Sequence, residues 1–339
     1  MADLISKYRG GFIKAFNELV DNRMQACKDK KTELFQNLYK PKSMLIYGFI
    51  VILSTVVKAP KENYNIAGHL LIAIGLICMV VCIKIYFASK EYQNFSQDKL
   101  LSRLLDVFGN FTYMPSPVGF LSMESLLPDV RKTKFIIPYT VYLRSKLYTK
   151  NINYNQNGDG LVGNYNGIEF QMCETDFGKK ERNIPPSYSR MFRGIALHFE
   201  VNLNLGTMII SNSQNNELKI PEGFKKFKIK NPKYINKFDI WMEQTDSDNI
   251  TDEIKRILET TFLDKLNYFQ RYYKVKKIEC SISDNSVVIL MPTGDDLFNM
   301  GSIFSNVEDI KNYDNLFYKI ISVLDFMDFL NILPKKIDN

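Results

Sequence analysis

The chain has 339 residues, of which 45% are hydrophobic and 24% charged, and its 44 Lys and Arg outnumber its 37 Asp and Glu to give a net charge of +7. Residues 1–90 hold 13 basic and 6 acidic side chains and so carry the whole excess, because residues 91–339 hold 31 of each. This neutral main part argues against a nucleic-acid-binding protein, which would concentrate basic residues on its folded domain.

The N-terminal segment, residues 1–42, is predicted to be a cytoplasmic amphipathic helix. From Gly11 to Leu38 apolar residues recur near the helical period, and Pro41 then ends the helix. Two arrangements are open: the helix packs against a later helix as a stalk, or it lies on the membrane surface. The stalk is favoured, because four acidic side chains within the helix weaken its attraction to anionic lipid.

Residues 43–89 are predicted to form a two-helix transmembrane hairpin. The uncharged run SMLIYGFIVILSTVV (43–57) and the longer run IAGHLLIAIGLICMVVCI (66–83) are joined by the polar turn KAPKENYN. The second run is long enough to cross a bilayer. A helix that is apolar on all sides is buried in lipid or in protein, so the alternative is a pair of core helices in a soluble protein.

Lysines mark the predicted membrane boundaries: Lys42 and Lys58 flank the first run, and Lys84 follows the core of the second. Their long stems allow the ammonium groups to reach the lipid headgroups. Basic residues cluster before the first run and after the second, which places both termini in the cytoplasm and the turn outside. The lipid bilayer is thus the first predicted partner, and most of the chain is predicted to lie in the cytosol.

Residues 90–130 are predicted to form a stalk helix, with an apolar stripe over Phe95–Phe108, followed by a proline-containing linker. The five cysteines are irregularly spaced, which is no disulfide framework and agrees with a cytosolic compartment. Cys78 and Cys82 lie one helical turn apart in the second apolar run. We interpret them as small apolar residues of a span, with a soft metal or an attached lipid as the alternative.

Residues 131–333 are predicted to be a cytoplasmic α+β domain, built on a mainly antiparallel sheet and ending in helix, strand, strand, helix. Predicted strands are Phe135–Leu143, Gly167–Glu174, Gly194–Leu203, Thr207–Ser211, Lys225–Lys230 and Asn236–Glu243. The final part is predicted as a helix over Ile250–Tyr273 with Thr251 as N-cap, a hairpin of Lys276–Ser283 and Ser286–Met291 around Asp284-Asn285, and a helix over Val307–Leu330.

The order of several short motifs resembles a family of bacterial membrane proteins known only as a domain of unknown function and sometimes mislabelled "galanin". The motifs are Asp159-Gly160 and Val162-Gly163, Gly167–Phe170 with Glu174, Phe192–Gly194 before Val201-Asn202, Asn231-Pro232, the Phe238 strand, the helix from Ile254 to Leu266, the Ser281–Pro292 hairpin, and Leu297-Phe298. The tandem apolar runs match too.

This chain departs from the family at Leu127, where Phe is usual, and in a lysine-rich segment that replaces an acidic stretch. The resemblance implies a bacterial cytoplasmic (inner) membrane protein and no known reaction. Family members often neighbour LemA-type membrane proteins in genomes, which implies an envelope-associated complex with a membrane protein partner or a homo-oligomer.

The motif GDGLVG, Gly158 to Gly163, fits the dinucleotide pattern G-x-G-x-x-G, but no strand–helix context surrounds it, so we interpret it as a turn between strands. Asn155, Asn157 and Asp159 imitate a calcium loop, yet the twelfth position is Asn166 instead of Glu. No zinc spacing, phosphate-binding lysine loop or nucleophile elbow occurs in the sequence. It therefore predicts no cofactor and no metal.

The strand GIALHFEVNL places His198, Glu200 and Asn202 on one side, which its alternation predicts to be the wetter face. A histidine beside a carboxylate suits acid–base catalysis, so His198 and Glu200 are the candidate catalytic residues. The simpler interpretation is a solvated or domain-facing sheet surface, since no recognisable nucleophile accompanies them.

The segment from Lys219 to Lys237 is rich in lysine, with aromatic residues interleaved. The simplest interpretation is an edge strand protected against aggregation by its lysines. Contact with anionic lipid or a partner is the second interpretation, and nucleic acid the third. The candidate contact residues are Lys225, Lys226, Lys228, Lys230 and Lys233.

The sequence thus favours a non-enzymatic, membrane-tethered cytoplasmic interaction or scaffold module. The alternatives are a membrane-bound enzyme with its site on the His198 and Glu200 sheet face, and a small channel or transporter subunit. The absence of carboxylates within the apolar runs disfavours an ion path.

Overall fold

A computed structural model describes residues 1–22, 24–38, 66–115, 136–148, 152–180, 188–203, 205–212, 220–244, 252–283, 285–295, 297–298 and 308–333. Several predictions therefore lie outside the described residues. These are the first apolar run and the polar turn, the boundary lysines Lys42 and Lys58, most of the linker, the N-cap Thr251, and Asp284 of the hairpin turn. The transmembrane hairpin as a whole stays a prediction.

Two compact units make up the described part of the chain. The first comprises residues of Met1–Phe12, Leu105–Phe298 and Asp314–Asn339, and the second comprises residues of Ile13–Leu104 and Asn299–Tyr313. Each unit combines stretches that are distant in the chain, and the four consecutive segments expected from the sequence stay a prediction.

The N-terminal amphipathic pattern forms helices, as predicted, over Ala2–Asn22 (α1) and Met24–Leu38 (α2). The second apolar run opens a helix of 31 residues, Ile66–Ser96 (α3). Within the second unit α2 packs on α3, where Lys30 Nζ lies 2.8 Å from Glu91 Oε1 and the buried apolar side chains include Cys27 and Tyr92. Across the described ranges, no helix combines the length and the apolar character that a membrane crossing requires.

The predicted stalk helix is broken into short pieces. After α3 the chain forms a π-helical turn over Gln97–Leu101, a helix over Ser102–Leu105 (α4) and a 3₁₀ turn over Asp106–Phe108. The predicted apolar stripe is buried at Leu100, Leu101, Leu104, Leu105 and Phe108. The stripe thus marks buried positions although the helix is irregular.

The first unit is built on an antiparallel sheet, and its described part has nine strands in the order β1-β2-β3-β4-β9-β8-β5-β7-β6. Their bounds are Phe111–Met114 (β1), Tyr154–Tyr165 (β2), Ile168–Lys180 (β3), Tyr188–Glu200 (β4), Met208–Asn212 (β5), Phe224–Phe227 (β6), Phe238–Glu243 (β7), Glu279–Ser283 (β8) and Ser286–Pro292 (β9). The α+β class is therefore confirmed.

Helices complete this unit and bear out the predicted helix, strand, strand, helix ending. They are Tyr139–Arg144 (α5), Asp252–Ile257 (α6), Leu263–Tyr272 (α7) and Lys311–Ile332 (α8), with a π-helical turn over Leu258–Phe262 between α6 and α7. The strand predicted over Phe135–Leu143 is wrong, because part of this stretch is α5. Pro138 precedes that helix in an extended conformation, and its fixed φ favours the start of a helix.

Both faces of the sheet are covered near its centre. On one face, which we call the helix face, Phe199 of β4 contacts Phe326 of α8 with ring centroids 5.1 Å apart. On the other, the α5 face, Ala196 of β4 belongs to a buried cluster with Ile137 and Tyr142. The predicted wetter face of β4 is therefore wrong at Ala196 and His198, which are buried on the side that the α5 segment covers, whereas Glu200 at the end of the strand is exposed.

Candidate functional site

The glycine-rich motif lies inside strand β2, so its interpretation as a turn is wrong. The turn comes later, where Asn166 and Gly167 adopt positive φ angles of 50° and 82°. A Cβ atom on Gly160 would overlap Ile136 Cδ1 and lie 2.6 Å from the Met172 carbonyl oxygen. At Gly163 a Cβ atom would lie 2.7 Å from the Asn110 carbonyl oxygen. The glycines allow close backbone packing.

The asparagines before this motif anchor the α5 segment to the sheet. Asn155 Nδ2 and Asn157 Nδ2 donate to the carbonyl oxygen of Ile137 at 3.3 and 3.2 Å. Thr175 Oγ1 of β3 donates to Asn155 Oδ1 at 3.0 Å. These bonds account for Asn155 and Asn157, two of the three residues that imitate a calcium loop. In the part of the chain described by the structure, no group of three or more His, Cys, Asp or Glu side chains is placed to hold a metal.

The histidine candidate is enclosed by the sheet and the segment above it. His198 is only 5% exposed, and burial lowers its pKa from 6.5 to about 4, so the ring is neutral at pH 7. Its Nδ1 lies 3.3 Å from Gln171 Oε1 on the neighbouring strand β3. Glu200 is exposed at the end of β4. The structure therefore places an amide, rather than the expected carboxylate, at this ring nitrogen.

A second cluster of polar side chains, which sequence reasoning missed, lies where β3 meets β4. Asp176 is 7% exposed and accepts a hydrogen bond from Tyr188 Oη at 2.5 Å. Arg190 binds the same carboxylate through Nε at 3.2 Å and Nη2 at 3.0 Å. Burial, then the hydrogen bond and charge of Asp176, raises the pKa of Tyr188. The register that assembles this cluster is not visible in the sequence.

A third cluster fixes the connection that follows β9. Glu174 Oε1 accepts a hydrogen bond from the Leu297 N–H at 2.6 Å. Lys319 of α8 is 5% exposed, donates to the Leu297 carbonyl oxygen at 3.4 Å and lies 5.6 Å from the centre of the Tyr273 ring. In the sequence, this cluster is indicated by a lysine within the otherwise apolar stripe of α8. Its burial suits a structural tie better than contact with a substrate.

The lysine-rich segment lies at one edge of the sheet, since β6 is the last strand in the order. All five candidate lysines are exposed. Lys226 Nζ lies 2.8 Å from Asp239 Oδ1, and Lys233 Nζ lies 2.5 Å from Asp264 Oδ1. Lys228 and Lys230 lie beyond the end of the strand, at Phe227. The edge position agrees with the simplest interpretation of these lysines.

Helix α3 exposes a continuous apolar stripe in the second unit. The exposed side chains recur at helical spacing and include Ile74, Cys78, Met79, Cys82, Ile83, Tyr86 and Phe87. The five largest of these are between 45% and 61% exposed. Lys84, the third boundary lysine, is half-buried. Exposed apolar stripes are typical of surfaces that bind lipid or another protein.

Comparisons with known proteins identify a protein family and a solved structure that this chain resembles. Residues 190–332 match the family described as "Protein of unknown function (DUF3137)". No curated protein matches the chain. The crystal structure of the mycobacterial trehalose monomycolate transport factor A, TtfA, aligns with 67% of this chain and 91% of its own, at 10% identity and a TM-score of 0.28. No conclusion about this chain follows from a structural likeness at that level.

Proposed function

We propose that the chain is a membrane-tethered interaction or scaffold module without enzymatic activity. The observation that carries this proposal is the exposed apolar stripe of α3. Ile74 and Met79 lie in it with 48% and 61% of their surface open. Burying a fully exposed side chain of this type is favourable by about 1.5–3 kcal/mol, so covering the open half of each of these is favourable by roughly 1 kcal/mol, which a lipid environment supplies.

The sequence around the stripe supports lipid as the environment. Most of the stripe lies within the run 66–83, and a second uncharged run, 43–57, precedes it in the chain. Neither run has a polar face, so neither suits a helix with one side in water. We propose that the two runs together hold the protein at the bacterial inner membrane, with both termini in the cytoplasm as the flanking basic residues indicate.

The sheet of the first unit is proposed to provide the interaction surface. The burial of His198 and its contact with Gln171 give the enzyme alternative little support, because a general base must reach its substrate. The exposed lysines around β6 instead offer charge to a partner or to anionic headgroups. A membrane protein or a second copy of this chain is the partner expected from the family resemblance.

Fractionation of cells that express the full chain tests the tether. We expect the protein to stay with the membranes after an alkaline carbonate wash and to be released by mild detergent. The double variant Ile74→Asp with Met79→Asp is expected to leave the membrane fraction, since an aspartate at the centre of a span costs about 3 kcal/mol.

A matched control changes an exposed apolar residue outside the stripe. Ile332 is 78% exposed in the first unit, and Ile332→Asp should fractionate like the wild type. Recovery of the wild type as a detergent-free monomer in the supernatant would reject the tether.

A further inference from the structure

Strand β6 is the last strand at one edge of the described sheet. Among the described residues it pairs with β7 alone, with Phe224 opposite Glu243 and Lys226 opposite Trp241. The Gln244 N–H donates to the Gly223 carbonyl oxygen at 2.9 Å, which identifies this pair as hydrogen-bonded. Because hydrogen-bonded and non-bonded pairs alternate in an antiparallel ladder, Phe224 and Lys226 direct their N–H and C=O groups away from β7.

The lysines of this edge lie on both faces of the sheet. Lys226 lies on the α5 face, where its Nζ is 2.8 Å from Asp239 and 5.9 Å from the Trp241 ring centre. Lys225 points to the opposite face, since neighbouring strand residues alternate. A flat lipid surface would meet only one of these faces, whereas a strand running along the edge meets both.

The positive charge of this edge determines which kind of partner strand can bind to it. Residues 220–237 carry six lysines and one glutamate, so two copies of this edge would repel each other. A segment with Asp or Glu at consecutive positions would place carboxylates beside Lys225 on one face and Lys226 on the other. Opposite charges on neighbouring strands stabilise the pair, and like charges destabilise it.

From this geometry we infer that β6 binds an extended acidic segment of a partner protein, which adds to the sheet as a further strand. Main-chain hydrogen bonds to Phe224 and Lys226 supply affinity, and the lysines select an acidic sequence. The inference rests on the proposed interaction function and names the surface and the chemistry of its partner.

The sole tryptophan of the chain, Trp241, lies beside Lys226 and reports on binding through its fluorescence. The full chain in neutral detergent micelles is titrated with the synthetic peptide TEEVTEEVT. We expect saturable binding, no binding of TKKVTKKVT, and loss of binding when alternate amides of the acidic peptide are N-methylated. N-methylation keeps the charge but blocks strand pairing, so equal affinity of the methylated peptide would overturn the inference.

Charge-reversed variants test the lysines. Lys225→Glu with Lys228→Glu should weaken the acidic peptide on the order of tenfold. Lys276→Glu with Lys311→Glu makes the same change in net charge at other exposed positions and should bind like the wild type. Equal weakening by both double variants would leave only a net-charge effect and reject the site.

Anionic vesicles test the alternative that this edge binds a membrane surface instead of a partner strand. If phosphatidylglycerol vesicles change the Trp241 signal and the acidic peptide does not, the edge is a membrane contact and the inference fails. Failure of the strand site can be distinguished from failure of the membrane tether. A chain that binds the peptide yet stays in the supernatant after fractionation keeps the strand site and loses only the membrane proposal.

Discussion

The backbone of Gly160 in β2 lies directly against the side chain of Ile136, with no space for a Cβ atom between them. A methyl group there would overlap Ile136 Cδ1 and approach the Met172 carbonyl oxygen to 2.6 Å. Ile136 belongs to the buried cluster that covers the α5 face. The glycine motif of β2 therefore allows the α5 segment to pack closely on the sheet.

We expect Gly160→Ala to lower the free energy of unfolding by about 1–3 kcal/mol, because the added methyl group forces the α5 segment or the neighbouring strand to shift. Urea denaturation followed by Trp241 fluorescence measures the change. The matched control is Gly294→Ala, since a Cβ atom there meets nothing within 4 Å. A Gly160→Ala variant as stable as this control would show that the packing is looser than described.

His198 is expected to make stability depend on pH. Burial lowers its folded-state pKa from 6.5 to about 4, so between these values the unfolded chain binds the proton and the folded chain does not. Stability is therefore complete above pH 6.5 and falls as the pH is lowered towards 4, by about 3 kcal/mol in total.

Unfolding of the full chain between pH 4 and 7 measures this dependence. The side chain of the variant His198→Gln cannot take up the proton. The fall in the free energy of unfolding that His198 causes at low pH should therefore be absent from this variant. A wild-type slope identical to that of His198→Gln would contradict the burial of the ring.

The Asp176 cluster is expected to stabilise the pairing of β3 with β4. Asp176→Ala removes the acceptor of Tyr188 and Arg190, and we expect a loss of about 1–2 kcal/mol, limited by the half-exposed arginine. Glu169→Ala, at an exposed position of the same strand, is the matched control and should change stability by less than about 0.5 kcal/mol. Equal losses in the two variants would argue for an effect of strand propensity alone.

Local pattern predicted the long helices of this chain well, and the short helices and the sheet less completely. The apolar spacing in α1 reflects burial of one helix face, whereas α8 is apolar enough to be buried on nearly all sides between Lys319 and Met327; both are properties of the local sequence. The strand β2 was missed, because Asn155, Asn157 and Gly160 are typical of turns. In the folded chain the two amides bind the Ile137 carbonyl group and the glycine admits Ile136, and both partners are brought there by tertiary structure.

In the candidate site too, features set by the local sequence were predicted and features set by tertiary structure were not. The edge position of the lysine segment was predicted, because alternating lysines are typical of edge strands. The burial of His198 was not predicted, because the α5 segment that covers this face of the sheet was interpreted as a strand. A six-residue helix such as α5 is too short for its period to be separated from that of a strand.

Thiol labelling of Cys78 and Cys82 tests the membrane tether most directly. Both side chains are exposed on α3, whereas Cys27, Cys173 and Cys280 are buried, and burial raises the pKa of Cys27 to about 11 and that of Cys173 to about 12. A charged, water-soluble maleimide is added to membranes opened by freeze–thaw, before and after denaturation in detergent. If lipid covers the stripe, Cys78 and Cys82 stay unlabelled until denaturation. Rapid labelling of both in the native sample would show that the stripe faces water and would contradict the tether.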